Sequence, residues 1–172
     1  MNDLSQQIVG KVCNDHRFSL DVIRGLEGHP EFRHSLRIAI EEQAVKQNWT
    51  CLCRLVWILG RFPNPDLVPL LARLLDERGN DGIMEALVDT LNIMRDARAV
   101  ESLKHALSYR MPGDDLAFHF NKKVINALAR MGTPEAESAI AEASRDPEEA
   151  ISSFAKTMLI ELQKGPGSSQ TG

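Results

Sequence analysis

Histidine is the residue type that most often signals a metal site, and its spacing in this chain does not favour one. No histidine has a second histidine four residues away, and none lies in a cluster of carboxylates. Metal ligation needs side chains that converge on one point, which these separate positions do not supply. We predict no metal site and no cofactor, and interpret the histidines as solvated or capping residues: His16, His29, His34, His105 and His119.

The cysteines are equally poor candidates for chemistry. Cys51 and Cys53 are two residues apart, so their side chains would diverge by about half a turn on a helix. We expect two thiols on a half-buried helix, one of them in the core, and not a redox pair or a zinc clip. With Cys13 they make an odd set, unlike the framework of a secreted disulfide protein. No phosphate-binding loop or nucleophile motif is present, so no residue pattern argues for catalysis.

Composition and charge narrow the classes of function. The net charge of -4 and the pI near 5.7 disfavour a surface that neutralises many phosphates. Basic residues are interspersed with acids, as at Arg95 and Asp96, which is typical of solvated helix faces with mixed charge. No apolar run is long enough to cross a membrane or has the form of a signal peptide. The expected compartment is the cytoplasm.

An internal repeat organises the chain. A shift of 35 positions places Gly25 on Gly60, and further shifts of 32 and 37 carry Leu59 onto Leu91 and Leu91 onto Leu128. In each unit, residues that interrupt a helix lie between apolar segments of helical periodicity. Four units of this length predict helical hairpins that bury their apolar faces against one another.

Two helices are predicted for each unit. Residues 49–60 and 81–94 should be first helices, and the second helices should cover residues 65–77, 97–109 and 134–143. Asn64 and Thr133 are predicted N-caps, each directly before a proline that the first turn of a helix tolerates. Residues 109–115 are predicted to be a loop between repeats, residues 147–163 a capping helix, and residues 164–172 a disordered tail.

The turn and second-helix patterns resemble those of a known family. The segments 59–71 and 129–136 each carry a Leu-Gly or Met-Gly turn, a Pro and an apolar second helix, and they are similar to HEAT-like repeats of the phycobilin-lyase and armadillo type. The resemblance covers roughly residues 15–160. It implies an all-α fold, a right-handed α-solenoid of about four HEAT-like hairpins with a C-terminal capping helix. We expect a single domain over residues 1–163.

The family resemblance also indicates which surface would be used. In such solenoids the second helices line the concave face, and each exposes residues at i, i+4 and i+7. In the first unit the matching positions are His34, Ile38 and Glu41. In the later units the predicted partner-binding residues are Pro69, Arg73, Asp76, Glu101, His105, Ser108, Ser138, Glu142 and Arg145.

A surface with both signs of charge and some apolar atoms suits a folded protein partner better than a polyanion or a lipid. We therefore expect a non-enzymatic protein-binding module, for example an inhibitor or immunity protein.

The alternative is a HEAT-like enzyme or enzyme subunit, such as a bilin lyase component or a DNA-repair glycosylase. That alternative requires a deep pocket in which an acid and an aromatic converge. Trp57 aligns with the apolar Val22, so we expect it in the core. The HEAT-like hydroxylases use repeated His-Glu pairs, and this chain has none.

Overall fold

Helices make up all the regular structure of the part of the chain that the computed structural model describes, residues 3–14, 20–78, 80–114 and 118–164. The expected all-α fold class is therefore confirmed. The helices are α1 (Asp3–Asn14), α2 (Phe32–Val45), α3 (Trp49–Arg61), α4 (Val68–Glu77), α5 (Asp81–Met94), α6 (Val100–Leu107), α7 (His119–Met131), α8 (Pro134–Ala143) and α9 (Glu149–Lys164).

The helices lie in two rows. In the first row α1, α3, α5, α7 and α9 each pack against the next. In the second row α4 packs against α6 and α6 against α8, while α2 packs against α1 and α3. The two rows pack together through α4 on α5, α6 on α7 and α8 on α7 and α9. Helices that are neighbours in the same row are thus about one repeat apart in the chain.

The predicted turns are where the sequence places them. Asn64 Oδ1 accepts a hydrogen bond from the Asp66 amide at 3.1 Å, and Thr133 Oγ1 accepts one from the Ala136 amide at 3.2 Å. Both predicted N-caps are confirmed. The second helices differ in two details. α4 and α6 are each preceded by a short 3₁₀ turn, Pro65–Leu67 and Ala97–Ala99, and α6 ends at Leu107, two residues before the predicted boundary.

The first predicted unit departs from the template. Leu20–Ile23 forms a 3₁₀ turn where the alignment with residues 55–58 predicts part of an α-helix. Gly25 follows with a φ of 84°, a left-handed conformation that glycine adopts without steric cost and that closes the turn. The first-row position is filled by α1, which packs against both α2 and α3.

One continuous apolar core connects the rows. Leu55, Leu59, Leu87, Leu91 and Leu128 have no exposed surface, and they belong to a single cluster of buried side chains. These leucines occupy the predicted apolar register of the first helices. Because each helix buries its apolar face only against its neighbours, no pair of helices has a complete core of its own.

Side-chain hydrogen bonds to the backbone of the neighbouring repeat add to the core. Inside the stack Thr90 Oγ1 donates to the Val56 carbonyl at 3.2 Å. At the turns Arg33 donates to the Pro63 carbonyl and Arg98 to the Pro65 carbonyl, both at 2.8 Å. Each bond joins groups about one repeat apart and therefore fixes how neighbouring repeats align.

The last helix covers the end of the stack. Ile151 and Ala155 of α9 are buried, and Phe154, Met158 and Leu159 pack partly buried against the core. The helix extends from Glu149 to Lys164, so its end lies one residue beyond the predicted boundary. Residues 165–172 of the predicted tail lie outside the described residues, as does Asp115 of the predicted loop.

Cysteine pairing corrects one expectation. Cys13 of α1 and Cys51 of α3 form a disulfide, with their Cα atoms 4.8 Å apart, so Cys51 is not the thiol that the sequence predicts. Cys53 remains a thiol and is partly buried. The spacing of Cys51 and Cys53 does exclude a bond between them, but the partner of Cys51 depends on α1 packing against α3, which local patterns do not reveal.

The shared core predicts unequal costs for two substitutions in α5. Leu91→Ala should lower the free energy of unfolding by about 2–5 kcal/mol, because it leaves a cavity in the core. Ile93→Ala, at a side chain that is 49% exposed, should cost about 1 kcal/mol or less. Urea unfolding followed by circular dichroism measures both values. Equal losses of unfolding free energy in the two variants would contradict the burial of Leu91 and the exposure of Ile93.

The disulfide predicts the number of reactive thiols. The unfolded, unreduced protein should have one alkylated cysteine, and the unfolded, reduced protein should have three, as intact mass spectrometry can show. Reduction should also lower stability by roughly 2–4 kcal/mol, because it opens a long loop. Three alkylated cysteines without reduction would show that Cys13 and Cys51 are not bonded.

Candidate functional site

Apart from Ile38, which is partly buried, the residues predicted for the partner-binding surface lie exposed on one row of helices, which we call the second-helix face. They belong to α2, α4, α6 and α8 or follow these helices directly. The exposed residues are His34, Glu41, Pro69, Arg73, Asp76, Glu101, His105, Ser108, Ser138, Glu142 and Arg145. Their accessibility agrees with the predicted register.

Polar contacts connect the α4 and α6 parts of this face. Asp76 accepts a hydrogen bond from Ser102 Oγ at 2.6 Å, and its other carboxylate oxygen lies 3.0 Å from His105 Nδ1. Arg78 Nη2 donates to the His105 carbonyl at 3.0 Å and to Ser108 Oγ at 3.3 Å. The sequence reasoning missed Arg78, which lies just beyond α4 in the left-handed conformation, with a φ of 49°.

A groove separates α6 from α8 on the same face. Its volume is about 320 Å³, and it is lined by Lys104, His105, Leu107, Ser108, Ala139, Glu142, Ala143, Asp146 and Ile151. Lys104 Nζ lies 3.9 Å from Glu142 across the groove, and Arg110 Nη2 donates to Asp146 at 2.7 Å. The groove therefore combines apolar lining with paired charges of both signs.

The α2 part of the face is less integrated. Glu41 lies 3.9 Å from Arg37 on its own helix. Among the described residues, no hydrogen bond or ion pair joins His34 or Glu41 to α4. The structure thus brings the predicted residues of α4, α6 and α8 together, and leaves those of α2 without a polar connection to them.

A second groove lies on the opposite row of helices, between α3 and α5, and it corrects another expectation. Trp57 is 57% exposed and lies in this groove, so its predicted place in the core is wrong. The groove has a volume of about 260 Å³ and is lined by Trp57, Gly60, Arg61, Ala86, Asp89, Thr90 and Ile93.

The helical register of α3 contains the signal that could have placed Trp57 correctly. The buried stripe of α3 includes Leu52, Leu55, Val56 and Leu59. At 100° per residue, position 57 projects about 150° away from the centre of this stripe. The alignment with Val22 gave the opposite answer because residues 20–23 form a 3₁₀ turn.

An ion cluster borders the second groove. Lys123 Nζ of α7 donates to Glu85 and to Asp89 of α5, both at 2.8 Å. Burial lowers the pKa of Lys123, but the hydrogen bonds to Asp89 and Glu85 outweigh it and hold the pKa above its usual value. Asp89 and Trp57 line the same groove, and Lys123 engages the Asp89 carboxylate, so this acid is already paired.

The remaining groups with potential chemistry are dispersed. Within residues 3–14, 20–78, 80–114 and 118–164, no three His, Cys, Asp or Glu side chains lie where they could hold a metal ion. His16 lies outside these ranges, and the other histidines are exposed. Burial raises the pKa of the Cys53 thiol, against a smaller lowering by Arg54, so the thiol stays protonated to a higher pH than usual.

Comparison with known proteins identifies the type of repeat in the middle of the chain. A family model described as HEAT repeats matches residues 39–110, from within α2 to just beyond α6. The chain therefore contains HEAT-like repeats. Its helices accordingly form a helical solenoid, and HEAT repeats are commonly protein-interaction modules. No curated protein and no solved structure matches the chain. No described helix of this HEAT-like protein is both long and apolar enough to traverse a bilayer.

The exposure of Trp57 predicts a fluorescence result. In a Trp49→Phe variant Trp57 is the only tryptophan, and acrylamide should quench its emission efficiently because more than half of its surface is open to solvent. In the reciprocal Trp57→Phe variant the partly buried Trp49 should be quenched less. The opposite order of quenching would place Trp57 in the core.

Proposed function

We propose that this HEAT-like repeat protein binds a folded partner protein through the second-helix face, without catalysing a reaction. The observation that carries the proposal is the groove between α6 and α8, which lies among the exposed residues of that face. Apolar side chains such as Leu107 and Ile151 line it beside Lys104 and Glu142. Protein interfaces typically have this anatomy, an apolar centre within a polar rim.

The charge pattern supports a protein partner over a polyanion. Arg73 of α4 and Arg145 after α8 are exposed on this face, but so are Asp76, Glu101 and Glu142. A phosphate-binding surface would show a stripe of one sign. Charges of both signs instead favour a partner with a complementary mixed patch, and they set its orientation and rate of association.

The fixed arrangement of the face also supports binding. Asp76, Ser102 and His105 hold α4 against α6 by side-chain hydrogen bonds. A surface whose side chains are already held in place loses less conformational entropy when a partner binds. The same contacts are unsuited to general acid-base catalysis at Asp76, because its carboxylate oxygens are already engaged.

An enzyme would need a different arrangement. The acid and aromatic that the alternative requires do meet in the groove between α3 and α5, as Asp89 and Trp57. Lys123 donates a hydrogen bond to the Asp89 carboxylate at 2.8 Å, so this acid is already paired within the protein and is not free to act on a substrate. The site therefore favours binding.

A charge-reversal pair tests the proposal. Arg73→Glu combined with Glu101→Lys should abolish recovery of the partner by the tagged protein, as quantitative mass spectrometry of pull-downs can show. Both side chains are exposed. Among the described residues, the ion pair of Arg73 is with Glu77 on its own helix, at 3.6 Å. Surface ion pairs contribute about 1 kcal/mol or less, so helical content and melting should be unchanged.

The matched control reverses two exposed charges of the first row, Arg130→Glu with Glu161→Lys, and should recover the partner as the wild type does. A photo-crosslinking residue at Ser138 of α8 should label the same partner, whereas one at Ser153 of α9 should not. Partner recovery that survives the first pair and is lost with the second would assign binding to the opposite row.

A further inference from the structure

We propose that the groove between α3 and α5 is a second binding site, for a partner segment with apolar residues one helical turn apart and carboxylates at one end. The site lies on the first row of helices, opposite the second-helix face. It is therefore independent of the function proposed above.

Apolar exposure is the first observation. Trp57 is 57% exposed and Ile93 is 49% exposed, and both line the same groove. Large apolar side chains that are exposed beside one another gain free energy when another apolar surface covers them. Tryptophan is also the residue type most enriched among those that dominate binding energy at protein interfaces.

The shape of the groove sets the length of the occupant. The groove consists of three adjoining depressions between α3 and α5. The first is lined by Cys53 of α3 and Gly82 of α5, the second by Trp57 and Ala86, and the third by Arg61 and Ile93. The N-terminal part of α3 lies beside the N-terminal part of α5, and their C-terminal parts also lie together, so the two helices run parallel. At 1.5 Å per residue, the stretch of α5 from Gly82 to Ile93 is about 16 Å long, or three helical turns. Side chains one turn apart on the occupant would match the spacing of the depressions.

Small residues form part of the lining. Gly60 and Gly82 have no side chain, and Ala86 is buried. A Cβ atom added at Gly60 would lie 3.3 Å from Ile93 Cδ1 and 3.7 Å from Thr90 Oγ1, so it would occupy space inside the groove. The absence of side chains here lets an occupant approach the helix backbone closely.

Charge determines the chemistry of the occupant's end. Lys123 pairs with Glu85 and Asp89 along the wall. Arg61 ends α3 and Arg95 directly follows α5, both are exposed, and neither has an acidic partner among the described residues. The helix dipole places only about half a negative charge at the C-terminal end of each helix, so net positive charge remains beside Arg61 and Arg95. Carboxylates of the occupant would complement it.

Selection from a random peptide library tests the site directly, because the library supplies the occupant. Phage that display random 12-residue peptides are selected on the immobilised wild-type chain, with the Trp57→Ala chain as the counter-selection. Enriched peptides should carry apolar residues three or four positions apart and Asp or Glu near one end. The best peptide is then synthesised and titrated by fluorescence anisotropy.

Substitutions in the groove should selectively lower the affinity of the chain for that peptide. Trp57→Ala should lower the affinity for the peptide by about tenfold or more. The double variant Arg61→Glu, Arg95→Glu should lower the affinity by about tenfold, and this loss should depend on the salt concentration. Gly60→Ala should also weaken binding by filling the groove, although alanine favours the helix. Ile160→Ala, at a side chain of α9 that is 52% exposed, is the matched apolar control and should leave affinity unchanged. Arg130→Glu is the charge control.

Several outcomes would overturn the proposal. The first is that no selected peptide distinguishes the wild type from Trp57→Ala. The second is that the enriched peptides share basic residues in place of acidic ones. The third is that Ile160→Ala lowers the affinity for the peptide as much as Trp57→Ala does. A dimer that Trp57→Ala dissociates, measured by light scattering, would assign the groove to a second copy of the chain. The Arg73→Glu, Glu101→Lys variant should bind the peptide normally, so failure of one site is distinguishable from failure of the other.

Discussion

Burial of apolar side chains between neighbouring helices is the interaction on which the rest of the structure depends. Leu55, Leu91 and Leu128 lie on successive first-row helices, and each is covered only because the adjacent helices are in place. Polar contacts such as the hydrogen bond from Thr90 to the Val56 carbonyl fix how the helices align. Because the core runs along the stack, both outer rows remain open to solvent and available for binding.

This arrangement explains why the fold could be predicted from the sequence. Apolar spacing within α5 and α8, together with the caps Asn64 and Thr133, is local information, and the predicted bounds of those two helices match the observed ones. The exposure of the second-helix face followed from the same register. Repetition made this possible, since a pattern that is weak in one unit gains strength when later units share it.

The features that sequence reasoning missed depend on contacts between distant segments. The bond between Cys13 and Cys51 needs α1 to lie on α3, and α1 precedes the repeated pattern. Trp57 was misplaced because alignment with a 3₁₀ turn overrode the register of its own helix. The ion cluster around Lys123 joins α7 to α5, a pairing that depends on how two first-row helices are rotated. Both grooves likewise arise between helices and not within one.

Native-state hydrogen exchange, resolved by helix, tests the shared core most directly. The slowest-exchanging amides of α3, α5 and α7 should open together, with one free energy and one dependence on urea, because none of these helices has a separate core. Opening of α1 and α9 at lower free energy is compatible with that result, since each lies at an end of the stack. Separate opening of α3, α5 and α7, with different free energies and urea dependences, would contradict it.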